Sequence, residues 1–208
     1  MIKTPVLCAA LVAVLSFSAL AEGARGIYVR ADGGVTMPKT NAQHKFKSSS
    51  LGSVGVGYHF NDVFTADVNW QMRKLKVDNR GIKLPEMNEI ENRGIMINGY
   101  LNLTDSGDWM IPYLTAGVGY GTNKIKKSSS TFGPLVDTQL GGKQENIMWN
   151  IGVGIAMELI KNLQLDLVYR YSDLGKAKGK LEEDGFTQEI KLKAIKSNEV
   201  TIGLIFNF

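Results

Sequence analysis

Val200-Thr201-Ile202-Gly203-Leu204-Ile205-Phe206-Asn207-Phe208 closes the sequence. Val200, Ile202, Leu204, Phe206 and Phe208 form one continuous apolar face, opposite Thr201, Gly203, Ile205 and Asn207. Successive side chains of a strand point to opposite faces, so a period of two identifies a strand. Upstream, Leu163, Leu165, Leu167, Tyr169 and Tyr171 alternate with Gln164, Asp166, Val168 and Arg170. Trp149, Ile151, Val153, Ile155 and Met157 do the same against Asn150, Gly152, Gly154, Ala156 and Glu158. Phe64, Ala66, Val68, Trp70 and Met72 alternate with Thr65, Asp67, Asn69, Gln71 and Arg73. Val54, Val56, Tyr58 and Phe60 mark another segment, Ile95, Ile97 and Leu101 a further one, and residues 27–36 and 109–120 bring the set to eight. Pro112 lacks a ladder donor and belongs near a strand end or at a bulge.

These segments have the length of a tilted bilayer-spanning barrel strand, about 9 to 11 residues. Although 44% of the chain is hydrophobic, only its N-terminus carries a long apolar run. Only helices and closed barrels satisfy the backbone within lipid, so a membrane protein of this composition is a barrel. Connections alternate: 61–62, 104–108 and 160–162 are short, whereas 38–49, 78–92, 124–144 and 174–195 are long. That asymmetry separates periplasmic turns from external loops and places both termini on the periplasmic side. A soluble β-sandwich also alternates, but its core would reject the charges on the second face, and aromatics gather towards the strand ends as interfacial girdles do. The expected fold is all-β: an eight-stranded antiparallel up-and-down transmembrane β-barrel with short periplasmic turns and four long extracellular loops.

The N-terminus reads as a secretory signal, with Lys3, the apolar run 6–20 and the small-residue step Ala19-Leu20-Ala21 before Glu22. The expected division is a cleaved signal peptide, 1–21, and an outer-membrane barrel domain, 22–208. Cleavage removes Cys8, the single cysteine, and lowers the formal charge from +4 to +3 by taking Lys3. No disulfide or thiolate chemistry then remains, and so small a charge on an exported chain does not point to nucleic acid.

An eight-stranded barrel has an interior that side chains fill. The inward set includes Arg30, Asp32, Asp67, Arg73, Glu158, Asp166 and Arg170, which must pair and hydrogen-bond because isolated buried charges are costly. Catalysis, which would need a nucleophile beside a base near the outer surface, is not expected: His59 lies by a short turn near the periplasmic end and reads as a satisfied lumen histidine, and His44 lies in a polar loop and reads as solvated. Two unclustered histidines without a mature cysteine also lack metal-ligand spacing, and Gly117-Val118-Gly119-Tyr120-Gly121 lacks the strand-turn-helix context of a phosphate site, so no cofactor is expected.

Function then falls to the external loops. Basic residues stand in or beside each: Lys45 and Lys47, Lys74 and Lys76, Lys126 and Lys127, Lys178 and Lys180. They are candidate ligand contacts, with neutralisation of outer-membrane lipid headgroups as the plainer role for any one lysine. Alternation in Lys74-Leu75-Lys76-Val77 and Lys191-Leu192-Lys193 predicts hairpins that continue beyond the membrane.

Tyr28-Val29-Arg30-Ala31-Asp32-Gly33-Gly34-Val35, Ile97-Asn98-Gly99-Tyr100-Leu101-Asn102-Leu103-Thr104, the Gly117-Val118-Gly119 step and Tyr169-Arg170-Tyr171-Ser172-Asp173-Leu174-Gly175 carry a resemblance. The sequence resembles opacity-type small outer-membrane barrels and, within them, rickettsial surface adhesins. Phe206 and Phe208 look like the terminal signal read by the outer-membrane assembly machinery. The barrel is expected to be monomeric, and the resemblance implies a surface adhesin or antigen whose loops bind a host cell or a serum or matrix glycoprotein such as vitronectin. The alternative is a structural barrel or narrow small-solute channel.

Overall fold

The structure, a computed structural model, describes residues 26–39, 45–78, 89–104, 109–131, 137–183, 186–192 and 194–208, with backbone alone at 45–46, 77–78, 126–131, 137–141, 179–183 and 186–192. The signal segment 1–21 and His44 lie outside the described residues. The alternating segments form strands β1 (Ile27–Pro38), β3 (Ser49–His59), β4 (Phe64–Asp78), β5 (Glu89–Asn102), β6 (Met110–Thr131), β7 (Asp137–Ile160), β8 (Leu163–Asp173) and β11 (Lys196–Asn207). Three shorter strands join them: β2 (Lys45–Lys47), β9 (Ala177–Glu183) and β10 (Phe186–Leu192).

Each of the eight long strands pairs antiparallel with the next of the set. β11 returns to β1, from Tyr28 opposite Asn207 to Pro38 opposite Ser197, and the sheet closes into a barrel. Pro112, near the start of β6, still contributes its carbonyl to Leu103 N–H at 2.9 Å. At one short turn the Asn61 carboxamide oxygen accepts from Val63 N–H at 3.0 Å and Phe64 N–H at 2.7 Å. At another, Asn162 takes a positive φ of 72°, which Asn tolerates because its short side chain can bond locally. Asn207 N–H donates to Asn162 O at 2.8 Å and Phe208 N–H to Ile27 O at 3.1 Å, so both ends of the described barrel lie at the turn end.

The outward face over the lower part of the barrel is an apolar belt that includes Val56, Val68, Ile97, Val118, Ile151 and Ile202, all exposed. So large an apolar surface does not sit in water. Inward, Gly57 and Gly154 make room for aromatic rings: a Cβ on the first would fall on Tyr28, and one on the second on Tyr113.

Strands run further than the sequence segments at the opposite end. β6 and β7 have 22 and 24 residues, and their ladder continues past a register shift to Thr131 opposite Asp137, through most of the expected loop 124–144. β4 and β5 pair as far as Lys76 and Glu89. β2 joins β4, and β9 joins β7 through Leu140 opposite Leu181. Above the closed barrel, β2-β4-β5-β6-β7-β9-β10 thus form an open wall. Its inner side is capped by a buried cluster of Leu75, Ile90, Met96, Ile125, Met148, Leu174, Ala177 and Ile195.

Gly154→Leu is expected to displace the Tyr113 ring and cost about 1–3 kcal/mol. A lower urea midpoint for folding in lipid vesicles checks this, with Gly33→Val unchanged because a Cβ there meets nothing within 4 Å.

Candidate functional site: a packed lumen and a charged wall

Period-two alternation puts Asp67, Asn69, Gln71 and Arg73 on the inner face of β4, where they form a ladder. Asn69 donates to Asp67 at 3.0 Å, Gln71 to Asn69 at 2.7 Å, and Arg73 Nη2 to Gln71 at 2.6 Å. At its lower end Arg30 donates to Asp32 at 2.8 and 3.1 Å, to Asp166 at 2.6 Å, to Tyr100 Oη at 2.7 Å and, at 3.4 Å, to Asp67. Tyr100 donates to Asp67 at 2.6 Å and Tyr113 to Asp166 at 2.7 Å. At the upper end Arg73 Nε meets Glu199 at 2.6 Å, and Ser172 donates to the same carboxylate at 3.0 Å. Arg73 also donates to Asn92 at 3.2 Å, Asn92 to Asn123 at 2.7 Å, and Asn123 to the backbone oxygens of Leu174 and Lys176 at 2.9 and 3.0 Å. One connected network therefore crosses from β1 to β8 and climbs to the cap.

Two sequence expectations need amendment. Glu158, still in register opposite Gln164, stands at the turn end of β7 and is exposed, so it does not belong to the buried lumen network. The lumen is also not polar throughout, because its far end is the apolar cap. Glu199, Arg73's partner, lies one residue before the alternating segment that starts at Val200, and it continues the inward series of Thr201 and Gly203. Arg170 is 3% exposed, yet its Nε and Nη2 find no hydrogen-bond partner among the described residues. Arg30 faces three carboxylates, so the Arg170 charge offsets their excess without contact. His59 is held between Thr65 at 3.0 Å and Asn207 at 2.9 Å, beside a vestibule of about 380 Å³ at the turn end.

Outside, the inward and outward positions continue in step, but the outward chemistry changes. Past Trp70 and Met72, β4 turns Lys74 and Lys76 outward while Leu75 is fully buried. Lys74 stands opposite Glu91, Glu91 opposite Lys124, and Lys124 opposite Lys143. Arg93 pairs with Glu91 at 2.6 Å and Lys143 with Glu145 at 2.9 Å. Lys47 lies directly opposite Lys76, and both are exposed. Like charges in that position destabilise a sheet. The structure thus gathers Lys47, Lys74 and Lys76 on one face. Lys178, partly buried on β9, lies four strand spacings from β4, about 20 Å across the wall. The side chains of Lys45, Lys126, Lys127 and Lys180 lie outside the described residues.

A closed eight-stranded barrel with an apolar belt, a packed charged lumen and short turns at the end where β1 begins and β11 finishes is the architecture of a bacterial outer-membrane protein. The family model described as "Outer membrane protein beta-barrel domain" matches residues 7–208, and the chain belongs to that family. It is 23% identical to outer membrane protein PagN of Salmonella typhimurium, over 94% of this chain and 95% of that one. A Rickettsia typhi protein whose name proposes it as an adhesin is 26% identical over 86% of each chain. The solved structure of Neisserial surface protein A superposes with a TM-score of 0.62 at 20% identity, covering 90% of this chain and 100% of that one. The protein resides in the outer membrane; its turn end faces the periplasm and its wall faces outward.

Arg30→Met leaves three buried carboxylates without their shared cation and is expected to cost about 3–5 kcal/mol. Arg170→Met, which removes an Nε and an Nη2 that make no hydrogen bond, is expected to cost at least about 2 kcal/mol less by the same reasoning. Urea titration of the two variants in vesicles compares them directly.

Proposed function

We propose that this protein is a surface adhesin whose extracellular wall binds an acidic host molecule through Lys47, Lys74 and Lys76. The observation that carries this reading is the like-charge juxtaposition of Lys47 and Lys76, with Lys74 beside them, on an exposed face that the barrel does not require. The named adhesin relative supports it, and a host serum or matrix glycoprotein is the ligand class implied by the family resemblance. A narrow channel is the weaker alternative, since the cap places buried apolar side chains across the outer end of the lumen.

Three charge reversals, Lys47→Glu, Lys74→Glu and Lys76→Glu, combined in one variant, are expected to lower attachment to immobilised host-cell extract by roughly tenfold. Raising salt from about 50 to 500 mM should weaken wild-type attachment in the same assay, because screening shortens the reach of exposed charges. Unchanged attachment with normal folding in the variant would remove this reading. A parallel reversal of Lys126 and Lys127 measures how far the contact extends along the wall. The proposal includes export with trimming after Ala21, so N-terminal sequencing of protein from outer membranes should begin at Glu22.

A further inference from the structure

The outer rim of the barrel is lopsided. β4, β5, β6 and β7 have 15, 14, 22 and 24 residues and rise into the wall, whereas β1, β3, β8 and β11 have 12, 11, 11 and 12. On the low side the rim therefore ends where the apolar belt ends, and Lys39 stands there. Its N–H donates to Lys196 O at 2.7 Å, one step beyond Pro38 opposite Ser197, so the two lysines face each other across the β1–β11 ladder. Both are exposed, on the same outward face as the exposed Val35, Met37, Val200 and Ile202. The Lys39 ammonium lies 4.9 Å from the Tyr171 ring centroid, and that ring is 5.8 Å from Trp149. Asp173, the acid opposite Lys196, accepts from Gly175 N–H at 2.9 Å. Neither ammonium makes an ion pair among the described residues. Across the barrel a second opposed pair, Lys124 and Lys143, is compensated: Lys143 pairs with Glu145 at 2.9 Å and Glu91 stands opposite Lys124.

We infer that Lys39 and Lys196 seat the phosphate monoester of an outer-leaflet glycolipid, with its sugar against Trp149 and its acyl chains along the apolar face of β1 and β11. This site is separate from the lysine face on β2 and β4 and does not rest on the adhesin reading. Like charges directly opposite destabilise a sheet, so the pair does nothing for the barrel by itself. Adjacent strands hold the two residues about 5 Å apart, within reach of a single phosphate accepting from both ammoniums. A monoester carries close to two charges at neutral pH and matches two lysines, whereas a phosphodiester carries one. Depth selects a lipid over a soluble anion. Tyr171 and Trp149 mark the headgroup level, and the aliphatic row below the lysines leads straight into hydrocarbon.

The test uses the full-length barrel folded in phosphatidylcholine nanodiscs doped with a phosphorylated hexosamine-disaccharide lipid, and native mass spectrometry counts the lipid retained. Lys39→Gln combined with Lys196→Gln is expected to bind this lipid roughly tenfold more weakly, while the corresponding double Lys→Arg variant binds as the wild type does. Removing mutual repulsion should leave the urea midpoint of the Gln variant in undoped nanodiscs no lower than that of the wild type, which separates lost binding from lost folding. Lys124→Gln with Lys143→Gln removes the same charge and is expected to leave binding unchanged. Phosphatidic acid offers the monoester without a sugar, so Trp149→Leu should weaken retention of the glycolipid and not of phosphatidic acid. Equal retention of the enzymatically dephosphorylated glycolipid by the wild type overturns the inference, as does a loss in the Lys124 and Lys143 variant as large as that in the Lys39 and Lys196 variant. Undiminished glycolipid retention by Trp149→Leu overturns the sugar contact, and saturable binding of inorganic phosphate alone to the same lysines overturns the assignment to a lipid.

Discussion

Everything in this structure depends on one constraint: within hydrocarbon no backbone N–H or C=O can be left unpaired, at a cost of several kcal/mol for each group that is. The β1–β11 ladder meets it by closing the sheet. Once closed, each strand has one face for lipid and one for a lumen too narrow to hold much water. The inner face must then satisfy itself. That is why Arg30 is shared by Asp32, Asp67 and Asp166, why β4 carries an unbroken ladder of donors and acceptors, and why glycines stand where tyrosine rings cross.

The same alternation continues beyond the bilayer with its chemistry reversed. On β4, Val68, Trp70 and Met72 face outward and Gln71 and Arg73 inward; two residues later Lys74 and Lys76 face outward and Leu75 inward. Ile90 on β5 and Ile125 on β6 make the same exchange against Glu91 and Lys124. A sheet whose exterior changes from lipid to water must move its apolar residues from the outside to the inside, since that is where burial stabilises it. Beyond the bilayer closure is no longer obligatory, because water can satisfy an edge. The wall accordingly opens among the described residues.

The barrel was legible because a period of two is strongly specified wherever one face is buried: a slip of one residue would exchange the faces of a whole strand. Strand number, the side of the termini and most inward charges follow from that. Glu199 follows from it too, once the period is carried one step before Val200. Glu158 shows the limit: the period places it inward, but it stands at the strand end, where the lumen opens and the side chain is exposed. The cap and the β9–β10 hairpin were harder to read, because their segments are short and the reversal makes Leu75 resemble an outward residue beside two lysines. Among the candidate contacts, juxtaposition of Lys47 with Lys76 is a product of β2 pairing across a long connection, which linear spacing does not reveal.

The cap joins the two levels of the molecule. Its side chains come from the wall at Leu75, Ile90, Ile125, Met148 and Ala177 and from the connecting segments at Leu174 and Ile195, so burying it fixes one against the other. Asn123 strengthens the link by donating to the backbone oxygens of Leu174 and Lys176, immediately before β9, while accepting from Asn92 and through it from the Arg73 ladder. The start of the hairpin is thus tied by hydrogen bonds to the lumen. A binding surface ordered before its ligand arrives loses less conformational freedom on association. The buried network, by holding the lysine face in place, would serve the proposed contact without touching its ligand.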